Sequence, residues 1–232
     1  MCPAQPGEDL GLTGNSNNNA PVERRNFWFA AVTAAVYSLA LLVMPRMGAG
    51  WYWSLGNGLG LAALACLVYL GFDVRMGAKV RSHQLIAYCA LALLGGHALW
   101  FLLGDITVLE YAKIGAPWSM WSAWLALVLL VFIVLTSPSG PRQAGHVSHS
   151  AFRFWHWILV IVLMAASIHH ISGSGFYFRT WWQCVLLVAL IAAALLAPIA
   201  RRRSFPATAP ARALFICGLA MALFALVRNL PL

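Results

Sequence analysis

Charged side chains are scarce in this chain: Asp, Glu, Lys and Arg make up only 9% of its 232 residues, and only six residues are acidic. Soluble domains carry about 25% charged residues, so the composition excludes an ordinary soluble domain. The hydrophobic fraction is 62%, and apolar runs long enough to cross about 30 Å of hydrocarbon recur along the whole sequence. The composition therefore predicts an all-α, polytopic integral membrane helix bundle in a lipid bilayer.

Motifs for disulfide, cysteine-metal and nucleotide chemistry are also missing. The five cysteines form no CxxC pair, so the sequence indicates neither a disulfide framework nor a cysteine metal site. No GxGxxG stands between a strand and a helix, so the chain lacks the usual means of binding NADPH. The glycines of "GNGLG" (56–60) lie within an apolar run, where close helix packing explains them better than phosphate binding.

Seven apolar segments of 18 to 22 residues have lengths suited to membrane helices. They lie at about 27–44, 51–72, 83–103, 119–136, 154–172, 182–200 and 211–228. We expect residues 26–200 to form a six-helix core, and residues 201–232 to form a basic loop and a seventh transmembrane helix. Residues 1–25 are polar and lack the pattern of a signal peptide, so we expect a disordered cytoplasmic tail.

The distribution of basic residues predicts the orientation, because cytoplasmic loops carry an excess of Lys and Arg. With the N-terminus inside, eleven of the fifteen Lys and Arg residues fall on the inner side. We therefore expect a cytoplasmic N-terminus. The basic residues of these loops also account for the net charge of +9. The charge therefore needs no nucleic-acid partner to explain it, and we expect none.

Histidines are concentrated in the third and fifth segments. The third contains His83 and His97, and the fifth contains His156, His169 and His170. Separations of 13 or 14 residues span roughly 20 Å of helix, because each residue rises about 1.5 Å. Each of these two helices therefore carries imidazoles near both membrane faces.

Helical rotation indicates which histidines share a face. At about 100° per residue, His83 and His97 lie about 40° apart around their helix, and so do His156 and His170. His169 lies about 140° from His156 on an ideal helix. Ideal geometry favours His170, but a small helix distortion would bring His169 inward, so both remain candidates.

Both helices run from inside to outside, so their histidines form two pairs at two depths. His83 is expected to face His156 near the cytoplasmic side, and His97 to face His169 or His170 near the outer side. Titratable groups inside a membrane are costly and indicate function. Neutral imidazoles that face each other at two depths are what two bis-histidine haems require. The sequence therefore predicts two haem b groups.

Neighbouring residues fit this interpretation. Arg81 and Arg153 lie close to the inner pair, where they are expected to meet haem propionates. The small residues Gly95 and Gly96 beside His97 leave room for a flat macrocycle. Two further histidines precede the fifth segment, in an inner loop, where we expect them to be solvated; they are His146 and His149.

Two other classes of function remain open. A non-redox interaction subunit, or a transporter whose histidines relay protons, would carry no absorbing cofactor. A non-haem metal site is less compatible with the pattern, because ligands roughly 20 Å apart along a helix cannot share one ion.

The stretches "HQLIAYCALALLGGH" (83–97) and "HWILVIVLMAASIHH" (156–170) resemble the ferric reductase-like transmembrane domain superfamily. That superfamily includes NADPH oxidases, ferric reductases and the haem-binding membrane subunit of the periplasmic methionine sulfoxide reductase system. The resemblance covers about residues 50–200. It implies that His83, His97, His156 and either His169 or His170 are axial ligands of haem.

The resemblance also implies a role and a location. Many members continue into a flavin- and nicotinamide-binding module, which this sequence lacks. The chain thus resembles the short, stand-alone haem subunits of bacterial membrane oxidoreductases, in the inner membrane. Its electron donor would be a separate cytoplasmic flavoprotein or membrane quinol, and its extracytoplasmic acceptor would be ferric ion, oxygen or a partner redox protein. The seventh segment is an addition to the usual six-helix core.

Overall fold

The computed structural model describes residues 22–43, 50–72, 80–137, 149–174, 180–200 and 208–230. Within these ranges the chain forms seven α-helices and one 3₁₀ helix, Ile106–Ala112, with no β-strand. The α-helices are α1 (Val22–Val43), α2 (Gly50–Phe72), α3 (Val80–Gly104), α4 (Trp118–Thr136), α5 (His149–Gly173), α6 (Trp181–Ala200) and α7 (Pro210–Asn229). Each predicted apolar segment corresponds to one helix, which confirms the all-α prediction.

Five helices, α2, α3, α4, α5 and α7, are long and apolar enough to cross a membrane. Among the described residues, α1 and α6 contain shorter apolar stretches, at 26–42 and 181–196. Helices suit a bilayer because each one satisfies its own backbone hydrogen bonds where water is absent. The chain is therefore an integral membrane helix bundle, and its seventh helix is among the candidate spans.

Some expectations fall at or beyond the edges of the described ranges. Helix α1 begins at Val22, so residues 22–25 of the expected tail are helical, while residues 1–21 lie outside the described residues. The expected basic loop, 201–207, and His146 also lie outside them. His149 is the first residue of α5 and not a loop residue.

Helix α2 lies at the centre of the bundle and packs against α1, α3, α6 and α7. Its glycines allow this close approach. A Cβ atom at Gly56 would lie 2.5 Å from the Phe101 ring, and one at Gly58 would lie 2.6 Å from Cγ of Met221. The interpretation of "GNGLG" as a helix-packing sequence is confirmed.

Hydrogen bonds hold α7 against the core at both of its ends. At the start of α7, the hydroxyls of Tyr69 and Thr208 lie 3.3 Å apart, and the Ser82 hydroxyl donates to the Thr208 carbonyl at 3.2 Å. At its other end, the Asn229 amide donates to the Ser54 hydroxyl at 3.3 Å. Since Tyr69 is near the end of α2 and Ser54 near its beginning, α7 runs antiparallel to α2 along the full height of the bundle.

The two histidine-bearing helices are held apart by their neighbours. Helix α4 packs closely against α5 and also contacts α3, whereas α3 and α5 do not pack closely on each other. Residues of both helices line one internal cavity. We call the end of the bundle at which α3 and α5 begin the His83 end, and the end at which they finish the His97 end.

The 3₁₀ helix lies in the connection between α3 and α4, at the His97 end. Asp105 caps it by accepting hydrogen bonds from the backbone N–H and the hydroxyl of Thr107. These hydrogen bonds hold the pKa of the Asp105 carboxyl below its usual value. Glu110 forms an ion pair with Lys113. Both carboxylates of this connection are therefore engaged by neighbouring residues.

Candidate functional site: two histidine pairs between α3 and α5

The first histidine pair lies at the His83 end. The ring centroids of His83 and His156 are 6.5 Å apart, and the two ring planes are inclined by 57°. Imidazole nitrogens bind a metal ion at about 2 Å, so two rings on opposite sides of one ion put their centroids on the order of 6.5 Å apart. The observed separation therefore fits two imidazoles that share one metal ion.

Neighbours on α5 and α3 shape this first pair. Phe152, one turn before His156 on α5, stacks on its ring with centroids 5.6 Å apart and planes 29° apart. This contact limits the rotation of the His156 ring. Arg81 and Arg153 lie at the same end of the bundle with exposed side chains. Their expected contact with haem propionates stays a prediction.

His97, at the other end of α3, is held by the central helix. Its Nδ1 atom lies 2.8 Å from the carbonyl oxygen of Gly56 on α2. A carbonyl oxygen can only accept, so Nδ1 is the protonated nitrogen and donates. In the neutral ring the lone pair is then on Nε2. Histidines that bind metals commonly donate their other N–H to a backbone carbonyl, which fixes the orientation of the ring.

His170, near the end of α5, repeats this arrangement on a different partner. Its Nδ1 atom lies 3.0 Å from the carbonyl oxygen of Ser119 on α4. By the same reasoning, Nδ1 donates and the lone pair of the neutral ring is on Nε2. His97 and His170 line the same cavity. The two imidazoles therefore line one internal space, each with its Nδ1 on a backbone carbonyl.

This cavity has a volume of about 430 Å³, which falls within the roughly 300–1,000 Å³ of typical cofactor and ligand sites. All seven α-helices contribute lining residues, and most of these are apolar. An apolar cavity with a few placed polar groups is typical of a site for a small organic ligand. The polar side chains that line it include Asn57, His97, Tyr111, Ser167, His170 and Arg228.

His169 lies in a different environment from its neighbour. Its side chain is exposed, and its Nδ1 atom is 2.6 Å from the Ser122 hydroxyl on α4. It is not among the residues that line the cavity. The structure thus brings His170, and not His169, into one cavity with His97, in agreement with the rotation of an ideal helix.

The glycine that makes room for His97 comes from α2. A Cβ atom at Gly60 would lie 2.9 Å from Nδ1 of His97, so any larger side chain would displace the ring. Gly56, which supplies the accepting carbonyl, lies four residues earlier on the same face of α2. Gly95 and Gly96 do not line the cavity, and a Cβ atom at either would meet nothing within 4 Å. The sequence analysis assigned Gly60 to helix packing but missed that it lies against the His97 ring.

The donor set fits haem better than a metal ion bound by protein alone. Among the described residues, no group of three or more His, Cys, Asp or Glu side chains is arranged to hold a metal ion. A haem iron receives its equatorial nitrogens from the porphyrin, so it needs only the two axial ligands that a histidine pair supplies. The separation of the His83 and His156 rings meets this requirement, and His97 and His170 line one cavity.

Gly60→Ala is expected to weaken the site at the His97 end. The new methyl group would push against Nδ1 of His97 and strain its hydrogen bond to Gly56. Overpacking of this kind costs about 1–3 kcal/mol, which corresponds to a roughly 5- to 150-fold loss of ligand affinity if the whole cost falls on ligand binding. Haem content after purification, and its rate of transfer to apomyoglobin, measure the effect.

Gly95→Ala is the matched control for this substitution. It makes the same chemical change on α3, two residues from His97, but its Cβ atom meets open space. We expect the haem content of Gly95→Ala to equal that of the wild type. If both variants lost haem equally, the loss from Gly60→Ala could not be attributed to a clash with the His97 ring.

Comparison with known proteins identifies no relative. No family model, curated protein or solved structure matches the chain. The resemblance to ferric reductase-like domains therefore rests on the histidine spacing in α3 and α5.

Proposed function

We propose that the chain is a transmembrane cytochrome b, the haem-binding subunit of a membrane oxidoreductase, with one haem near each end of the bundle. The observation that carries the proposal is the 6.5 Å separation of the His83 and His156 rings, on two helices that otherwise do not pack closely. The cavity shared by His97 and His170 supports a second site of the same kind.

Four histidines would hold the two haems. His83 and His156 would each offer one ring nitrogen at the His83 end, and His97 and His170 would offer Nε2 at the His97 end. The carbonyls of Gly56 and Ser119 accept hydrogen bonds from Nδ1 of His97 and His170 and so hold each ring in one tautomer. These hydrogen bonds also raise the basicity of Nε2, the nitrogen that would bind iron. When bound, haem supplies reversible one-electron oxidation and reduction of its iron.

The remaining residues of the site exclude water and compensate charge. The apolar lining of the cavity lowers the local dielectric, and such burial is one means by which a protein sets a haem potential. At the His83 end, Arg81 and Arg153 offer positive charge to haem carboxylates. The two sites lie roughly 20 Å apart along α3, so together they span most of the hydrocarbon layer.

The direction of transfer follows from the basic loops. They favour a cytoplasmic location for the His83 end, so electrons would enter there from a separate flavoprotein or from membrane quinol. Electrons would leave at the His97 end, to ferric ion, oxygen or a partner redox protein. A bacterial inner membrane is the location that fits this arrangement.

Electron transfer across a sealed vesicle tests the proposal. Purified protein is reconstituted into liposomes that contain ferricyanide, with valinomycin and potassium to compensate charge, and dithionite is added outside. Each trapped ferricyanide accepts one electron and loses its yellow absorbance. We expect the haem-loaded protein to bleach trapped ferricyanide much faster than protein-free vesicles do.

The His97→Ala variant controls for leakage of the vesicles. It keeps the bundle in the membrane but removes a ligand at the His97 end, so bleaching should fall towards the protein-free rate. Detergent lysis at the end of each trace shows how much ferricyanide was still trapped. A wild-type protein that carries haem and yet bleaches no faster than empty vesicles would contradict an electron-transfer role.

A further inference from the structure

Arg228 lies in the last turn of α7 and lines the cavity that His97 and His170 share. Among the described residues that line this cavity, it is the only one with a formal charge. Its guanidinium carbon lies 5.4 Å from the centroid of the Phe224 ring, one turn earlier on the same helix. The side chains that line the cavity therefore carry a net positive charge.

The position of Arg228 is fixed by its neighbours on α7. Phe224 is buried in the core, so its contact with the guanidinium anchors the arginine from one side. Asn229, the next residue, donates both to the Ser54 hydroxyl on α2 and to the Ala225 carbonyl, at 3.3 Å and 2.8 Å. These contacts hold the last turn of α7 at the His97 end of the bundle.

The chemistry of the cavity indicates what Arg228 binds. Arg228 is partly buried in the last turn of α7, where it lines a mostly apolar cavity. The arginine fork is suited to carboxylates, which it can bind through two parallel hydrogen bonds. Haem carries two propionate carboxylates. We infer that the guanidinium of Arg228 binds a propionate of the haem held by His97 and His170. The inference rests on the proposed function, and it assigns a role to the seventh helix.

Redox titration of the haem-loaded, detergent-purified protein tests this assignment. The variants are Arg228→Met, which removes the charge, Arg228→Lys, which keeps it, and Arg212→Met, which removes an exposed charge at the opposite end of α7. A cation beside a propionate favours the reduced haem, because reduction adds negative charge to the site. We expect Arg228→Met to shift one of the two midpoint potentials downwards, Arg228→Lys to restore most of the shift, and Arg212→Met to change neither.

The His97→Ala background identifies the haem concerned. Only the haem at the His83 end should remain there, so adding Arg228→Met should leave its potential unchanged. Loss of one haem from Arg228→Met with retention in Arg228→Lys would also support the assignment. Two haems with unchanged potentials in Arg228→Met would overturn it, as would loss of both haems from both Arg228 variants. A wild-type protein without haem would instead contradict the proposed function.

Discussion

His83→Ala is expected to reduce the haem content of the purified protein from two haems per chain to one. The substitution removes one of two axial imidazoles, and the haem at the His83 end would be left on His156 alone. The haem at the His97 end should remain, because its ligands lie roughly 20 Å away along α3 and α5. Pyridine haemochrome quantitation against protein concentration measures this ratio directly.

Double substitutions make the prediction more specific. His83→Ala combined with His156→Ala should still leave one haem, because both residues serve the same site. His83→Ala combined with His97→Ala should leave none. Two haems in every single variant, or complete haem loss in the His83→Ala and His156→Ala pair, would show that these two residues do not form one site.

Substitution of His97 or His170 is expected to remove the other haem, whereas His169→Ala should keep both. His97 and His170 line one cavity, and each has its Nδ1 committed to a backbone carbonyl. His169 is exposed and contacts the Ser122 hydroxyl instead. Haem quantitation, together with the low-spin ferric signals in low-temperature EPR spectra, distinguishes the three variants.

His169→Ala is a matched control for His170→Ala, because the two make the same change at adjacent positions of one helix. It also controls for the loss of any histidine from the end of α5. If His169→Ala lost the haem and His170→Ala kept it, α5 would have to be rotated by about 100° from the arrangement described above. That outcome would also mean that the cavity lined by His97 and His170 is not the haem site.

The helices and the two levels of histidines could be predicted from the sequence because both depend on local patterns. Apolar runs of membrane length mark each helix, and the spacing of His83 and His97 fixes their depth and face by helical rise and rotation alone. The sequence leaves the choice between His169 and His170 open, since it depends on how α5 is turned relative to its neighbours.

The parts that sequence analysis missed all depend on contacts between distant residues. The hydrogen bond from His97 to Gly56 spans 41 positions, and that from His170 to Ser119 spans 51. No local pattern predicts that Gly60 lies against the His97 ring, or that α7 brings Arg228 to the same cavity. These contacts follow from the packing of α3 and α7 against α2 and of α5 against α4, which the order of the segments does not specify.

The most direct test of the central claim is a reduced-minus-oxidised visible spectrum of the wild-type protein, purified after expression with ample haem supply and quantified by pyridine haemochrome. Two bis-histidine sites predict sharp b-type α and Soret bands with close to two haems per chain. A protein that is folded and free of haem under these conditions would contradict the account, and would favour a proton-relay or interaction role for the histidines.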